Sequence, residues 1–238
     1  AEFTLDRAVF HRADDNIDTE MEVLVSQEDD IEFRHITLVN RTSHTRTFDL
    51  TSYVELSMAP HNGDRQHPAF NKLFIQTEAI AEQQILLASR RPRSKHDSNL
   101  FVAHCLLEKR DGDGVLPEID WQFETDRKRF IGRGRTLANP MGARQNLGSS
   151  QGFVLDPALC VRRRLTLAPG QRAQTTLMLA AGETRADVLR VVDKYRDPNE
   201  IERAMDFSWR SAQQKLQVLR IQPDEARRFQ RSTKTLPQ

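Results

Sequence analysis

The chain has 238 residues, with 35 Lys and Arg against 34 Asp and Glu, 38% hydrophobic residues, 7% aromatic residues and two cysteines. That length builds one large or two small domains with a sizeable core, and the composition excludes a disordered chain, a collagen-like fibre and a disulfide scaffold. The charge balance hides two unequal segments: residues 1–32 hold eleven acids and two bases, and residues 126–172 hold ten bases and two acids. Such a split means an anionic partner, or two segments that neutralise each other on one surface.

Ala1-Glu2-Phe3-Thr4 has neither an initiator Met nor the basic-then-apolar plan of a signal peptide, so the chain reads as an excised piece. From Glu20 to about Ala181 the dominant period is two, which predicts strands with one buried face. Met21, Val23 and Val25 form one such alternation. A second runs through Arg34, Ile36 and Leu38, the turn chemistry of Asn40 to His44 follows, and Phe48 to Leu56 resumes the pattern, which predicts a hairpin of two long strands. Further strands are expected over Leu73 to Ile80, Gln84 to Arg90, Leu100 to Lys109, Glu118 to Glu124, Gly152 to Leu155, Leu159 to Leu167 and Arg172 to Ala180. Asp111-Gly112-Asp113-Gly114 and Ala168-Pro169-Gly170 supply turns. About ten strands without intervening helices argue for a mainly β chain built as a large antiparallel β-sandwich. Pro60 to Asn71, Arg91 to Asn99 and Phe130 to Ser150 exceed the usual connection length, and such loops are where binding and interface roles concentrate.

Near Thr184 the period becomes 3.6. Ala186, Leu189, Val192 and Tyr195 would share one face of a short helix. A second helix opens with Asp197 as N-cap, Pro198 at its first position and Glu200 three beyond the cap. Its stripe of Ile201, Met205, Ser208, Trp209, Ala212, Leu216 and Leu219 has to bury against something. A third helix is expected from Pro223-Asp224-Glu225 through Phe229. The domain reading is therefore a sandwich over 1–183, followed by connector α-helices over 184–238.

No apolar run approaches the roughly 18 residues of a membrane span. Cys105 and Cys160 sit in apolar strand-like runs without CxxC spacing, which predicts buried reduced thiols and a cytoplasmic setting. Nucleophile-elbow, P-loop, dinucleotide and HExxH motifs are missing from the sequence. His61 and His67 flank Asp64, but no third strong ligand accompanies them, and the acidic turn at Asp111 lacks the rest of a calcium loop. Gly132-Arg133-Gly134-Arg135 is the most informative loop, because pliable glycines present two planar donor forks to carboxylate, phosphate or sugar hydroxyls. As a nucleic-acid site it lacks interleaved aromatics, so no nucleic-acid partner is expected.

Several segments occur together in order: Val25-Ser26-Gln27-Glu28-Asp29-Asp30, Thr37-Leu38-Val39-Asn40-Arg41-Thr42, His67-Pro68-Ala69-Phe70-Asn71-Lys72, Arg90-Arg91-Pro92-Arg93-Ser94, Glu124-Thr125-Asp126-Arg127, the loop Phe130 to Pro140 and Tyr195-Arg196-Asp197-Pro198. This series resembles the N-terminal sandwich domain of glycoside phosphorylases of the cellobiose phosphorylase type, with the nearest likeness to the version in bacterial cyclic β-1,2-glucan synthases. The resemblance implies a supersandwich lacking its first strands, linker helices and then an α/α-barrel that lies outside this sequence. It places the general acid and the phosphate-binding residues in that barrel, so this chain is expected to be inactive alone, without catalytic residues or metal of its own. No cofactor is implied, only inorganic phosphate as co-substrate of the parent.

The same resemblance gives the sandwich a part in dimerisation and in the rim of the glucan site. It points to Arg133 and Arg135, with His67 and Asn71, as residues that hydrogen-bond glucan hydroxyls or hold the loop against the barrel. A β-glucan oligosaccharide, the barrel and a second copy are the implied partners, and an inner-membrane parent would carry this region on its cytoplasmic side. Two alternatives stay open: an independent polysaccharide-binding module, and an anion or nucleic-acid binder. The module requires a row of exposed aromatics, for which only Trp121 and Phe123 offer a start, on opposite faces of their strand.

Overall fold

A computed structural model describes residues 1–92, 99–108, 121–222, 224–226 and 228. In chain order the strands and helices are β1 (Glu2–Phe3), β2 (Ala8–Asp14), β3 (Ile17–Val25), β4 (Ile31–Asn40), β5 (Arg46–Glu55), α1 (His61–Gln66), α2 (Pro68–Lys72), β6 (Ile75–Ile80), β7 (Ile85–Arg90), β8 (Leu100–Glu108), β9 (Gln122–Asp126), α3 (Arg127–Ile131), β10 (Pro157–Leu167), β11 (Arg172–Gly182), α4 (Arg185–Lys194) and α5 (Pro198–Leu219). One sheet has eight strands in the order β1-β2-β3-β4-β11-β8-β7-β6, and a second has three, β5-β10-β9. Every described pairing is antiparallel. The expected mainly β sandwich followed by helices is therefore the observed architecture. The turn at Asp111 to Gly114, the loop residues 93–98 and the third helix beyond Ala226 lie outside the described residues or largely so.

The strand period is correct, but the single buried face is not. Central strands of the large sheet bury both faces. Phe33, Ile85, Leu87, Cys105, Met178 and Ala180 point to a core completed by Val188, Val191, Val192 and Tyr195 of α4. Their neighbours Ile36, Leu38, Leu86, Leu106 and Leu177 point the other way, onto Leu159, Val161 and Leu165 of the small sheet. Alternation cannot distinguish a strand with one wet face from one between two layers when both faces carry aliphatics. The layers are thus helix, large sheet and small sheet. Both cysteines are free and buried, and burial pushes the Cys105 thiol up to about 12.

The expected hairpin of β4 and β5 does not form. Both edges of β4 are taken, by β3 and β11, while β5 pairs with β10 in the other sheet. The fully buried side chain of Asn40 explains the corner. Its Nδ2 donates to the carbonyls of His44 at 2.9 Å, Leu167 at 2.9 Å and Ala168 at 3.2 Å, while its Oδ1 accepts from Thr42 N at 2.9 Å. One amide therefore fastens the β4–β5 crossing to the β10–β11 crossing.

Other local expectations also shift. Gly152 to Leu155 is not a strand; Gly152 makes a single bridge to Thr77, and Phe153 and Leu155 are exposed. Pro60 to Asn71, read as a loop, folds into α1 and α2. Trp121 and Phe123 lie on the same face, as residues two apart in extended chain must, with ring centroids 4.8 Å apart against the inter-sheet core. They do not form an exposed aromatic row.

The α4 stripe is Val188, Val191, Val192 and Tyr195, with the expected Leu189 partly buried against the same core and the expected Ala186 exposed. Tyr195 is fully buried, packs edge-on to Phe33 at 4.8 Å and donates from its hydroxyl to Asp29 at 2.9 Å, with Ser26 Oγ 3.1 Å away. Lys194 adds an ion pair to Asp29 at 2.7 Å. Burial alone would raise the Asp29 carboxyl, but the hydrogen bonds from Lys194 and Tyr195 prevail and hold it below the usual range. Tyr195→Phe keeps the ring and strands these partners, so urea unfolding should show a loss of about 1–2 kcal/mol without a change in slope.

The second long helix begins as read, with Asp197 Oδ1 accepting from Asn199 N at 2.9 Å and Pro198 at the first position. Its buried residues are Ala204, Ser208, Ala212 and Leu216, whereas Trp209 and Leu219 of the expected stripe are exposed.

Part of the charge asymmetry is paired locally. Acids of the first segment pair with Arg7, Arg12, Arg34, Arg41 and Lys194, and bases of the second with Asp49, Glu55, Asp126 and Asp156.

Candidate functional site

At one end of the sandwich, the chain leaving β9 turns into α3 and then runs irregularly to β10. The turn is built by two carboxylates. Asp126 caps α3 by accepting from Lys128 N at 2.9 Å. Glu124, only 1% exposed, accepts from Thr125 N at 2.9 Å, Asp126 N at 2.8 Å and Gly148 N at 3.2 Å. It thereby joins the strand end to the far end of the following loop. The backbone donors solvate the buried carboxylate in place of water.

The middle of that loop is held from beneath by Arg162 of β10, which is 2% exposed. Its Nη1 donates to Gln145 O at 2.7 Å, its Nη2 to Gly142 O and its Nε to Thr51 Oγ1 at 2.8 Å. A planar fork with divergent donors suits such a role, and lysine could not duplicate it. Gly142 lets the Phe130 ring pack against the loop backbone, because a Cβ there would lie 2.5 Å from that ring. Gly132, at φ +85°, makes the reversal after α3 in a region that other residues avoid.

A charged chain ties this loop to α2. Lys72 pairs with Asp156 at 2.6 Å, Arg127 with Asp156 at 3.3 Å and with Glu55 at 2.7 Å, and Tyr53 donates to Glu55 at 2.7 Å. Tyr53 then stacks on Phe130 with centroids 5.0 Å apart. Hydrogen bonds from Tyr53 and Arg127 hold the Glu55 carboxyl below its ordinary value, and burial together with Glu55 raises the Tyr53 phenol.

The four residues singled out in the sequence fall on these two segments with different surroundings. Arg133 is exposed, makes no hydrogen bond or ion pair with any described residue, and lies at a hollow of about 470 Å³ that Glu124, Phe130 and Leu147 also line. Arg135 is half-buried and turns back on its own loop, 3.5 Å from both oxygens of Asn139. His67 is exposed between α1 and α2. Asn71 is buried, with its Nδ2 donating to Gly63 O at 2.7 Å and His67 O at 3.0 Å. The amide of Asn71 therefore shapes α1 and α2 from inside. Only Arg133 of the four lines the hollow.

Glu124, Arg162 and Asp156 were missed. The signal for Arg162 was present: three consecutive arginines inside an apolar strand of alternating faces must place at least one inward. Exposed Phe70 of α2 and Leu73 just after it, Leu137 of the loop, and Phe153 and Leu155 beyond it belong to these same segments.

A family description, glycosyl hydrolase 94 supersandwich domain, matches residues 1–198. The chain is 33% identical over 229 residues to cyclic beta-(1,2)-glucan synthase NdvB of Rhizobium meliloti (strain 1021), an alignment covering 94% of this chain and 8% of that protein. It therefore spans a small part of that relative's length. Among solved structures, a polysaccharide lyase aligns with a TM-score of 0.42 at 13% identity, over 76% of this chain and 22% of the other. No described helix is long and apolar enough to cross a membrane.

Proposed function

This chain belongs to the glycosyl hydrolase 94 supersandwich family, a sandwich domain of carbohydrate-active enzymes, and from that premise we propose that it is the non-catalytic sandwich of a β-glucan synthase or phosphorylase. Its loop end forms the rim of a glucan site whose catalytic groups lie in a neighbouring α/α-barrel. The observation that carries the reading is Arg133, an exposed guanidinium without a partner among the described residues, beside a hollow floored by the buried Glu124. A partnerless guanidinium offers its planar fork to oxygen acceptors, on a loop whose far half is fixed by Arg162 and Glu124.

The exposed apolar side chains of the same segments support a covered face, against the barrel or a second copy. His67 and Arg135 belong to this rim as weaker contacts, and Asn71 supports it from within. The substrate class is a neutral β-glucan, in keeping with the synthase named among the relatives, and inorganic phosphate is the co-substrate of the parent. The domain boundary falls near residue 183, with α4 and α5 as the connector, and the parent carries this region on the cytoplasmic side of a membrane.

Calorimetry with linear β-1,2-glucan oligosaccharides, cellobiose and heparin tests the reading. Glucan binding should fall about fivefold or more in Arg133→Ala, a change that leaves folding untouched because the side chain is exposed. Heparin binding that weakens steeply with salt, without any glucan binding, would replace this reading with an anion-binding one.

A further inference from the structure

The helix-facing side of the eight-stranded sheet changes character along its strands. Beneath α4 it is apolar, with Leu24, Phe33, Met178 and Ala180 in the core. Farther along the same strands, on the same face, it becomes polar in registered rungs. One rung runs His11, Glu20, Thr37 and Gln174 across β2, β3, β4 and β11. The next runs Ala13, Asp18, Val39 and Arg172, and on the other side Glu22, His35 and Thr176 form a third.

Two adjoining hollows of about 530 and 360 Å³ follow these rungs and share Glu20, Thr37 and Arg172. They make one trough that runs from β2 at the edge of its floor to a wall of Pro198, Ile201 and Met205 of α5. Its floor is organised: Arg172 and Gln174 both donate to Thr37 Oγ1, at 3.4 and 3.3 Å, and His35 Nδ1 lies 3.0 Å from Thr176 Oγ1.

Four strands at sheet spacing make a floor about 14 Å wide, room for two to three hexose rings. The lining is densely polar yet nearly neutral, because Asp18, Glu20, Glu22 and Glu202 are balanced by Arg12, Arg41, Arg172 and Arg196. Neutrality disfavours a polyanion, whose binding rests on uncompensated cations. The alternation of carboxylate, amide, guanidinium and imidazole offers both donors and acceptors, which suits hydroxyl groups that need both. Among the described residues no Phe, Tyr or Trp lines either hollow, so recognition rests on hydrogen bonds.

We propose that this trough is a second saccharide site, holding two or three units of a neutral glucan chain apart from the Arg133 rim; the choice of glucan rests on the function proposed above. The test is an amide chemical-shift titration of the chain with a linear β-1,2-glucan hexasaccharide, with a heparin hexasaccharide in parallel. Shifts are expected at Glu20, Thr37 and Gln174. Arg172→Ala and Gln174→Ala should each weaken them about fivefold in apparent affinity, as loss of one hydrogen bond does. Arg172 is exposed, so its variant keeps the fold and remains decisive if Gln174→Ala does not. Arg133→Ala should leave the trough shifts in place.

Glucan shifts confined to residues 132–148 would sink the trough and keep the rim. Trough shifts that persist with none at 132–148 would do the reverse. Heparin alone moving the trough amides, unchanged affinity in a folded Arg172→Ala, or no glucan-induced shift anywhere would overturn the trough site.

Discussion

Arg162→Ala is expected to lower the stability of the chain by about 3 kcal/mol and its melting temperature by about 10 °C. The side chain is 2% exposed and donates to two carbonyls of the 132–148 loop and to Thr51. Removing it leaves those acceptors without their donor, and it empties the volume of a long side chain between loop and sheet. The loop also contains Arg133, Arg135 and Arg144, each a tryptic site. Loss of its anchor should therefore raise the rate of trypsin cleavage there by about a hundredfold, which is what 3 kcal/mol of local opening amounts to. Arg162→Lys keeps the charge but not the divergent fork, and should recover less than half of the loss. Urea midpoints and mapped tryptic fragments check both variants; an unchanged midpoint in Arg162→Ala would remove the anchor from the account.

The second large effect is a loss of stability in mild acid that traces to one imidazole. His104 on β8 is fully buried between the sheets, with Nδ1 2.8 Å from Met178 O and Nε2 3.0 Å from Ser52 Oγ. A carbonyl only accepts, so Nδ1 carries the proton and Nε2 accepts from the Ser52 hydroxyl. Burial lowers its pKa from 6.5 to about 4, against the smaller upward pull of the Met178 carbonyl. Between those two values the unfolded chain takes up a proton that the folded chain refuses. Stability is therefore complete above pH 6.5 and declines as pH falls to about 4, by on the order of 3 kcal/mol from this group. His104→Gln retains a donor and an acceptor without the titration, so its stability should be lower at pH 7 yet flatter between pH 6.5 and 4. Equal slopes for the two proteins over that window would refute the assignment.

Much of the fold was legible because strand periodicity is local. The cap at Asp197 and the start of α5 were likewise set by residues within one turn. What escaped depends on long-range placement. The turn chemistry of Asn40 to His44 is genuine, but its direction is decided by the carbonyls of Leu167 and Ala168, far along the chain. Two-layer burial of β4 could not be read from alternation, since Phe33 and Ile36 are equally suited to either core. At the candidate site, the glycines and arginines of 132–135 singled out a loop that the structure places beside the hollow. Their chemistry did not reveal that Arg133 alone would line the hollow, nor that Asn71 would be spent on its own helices. The polar rungs of the trough were invisible because they exist only in the register of four strands, two of which are separated by more than a hundred residues.

The central claim is that this chain shapes a glucan enzyme without performing its chemistry. The most direct measurement is glucose 1-phosphate release from linear β-1,2-glucan with inorganic phosphate, for the chain itself and for the whole reading frame that contains it. The expected result is no release by the chain and phosphate-dependent release by the product of the whole frame. Release by the chain itself, or a reading frame that closes at Gln238, would contradict the account.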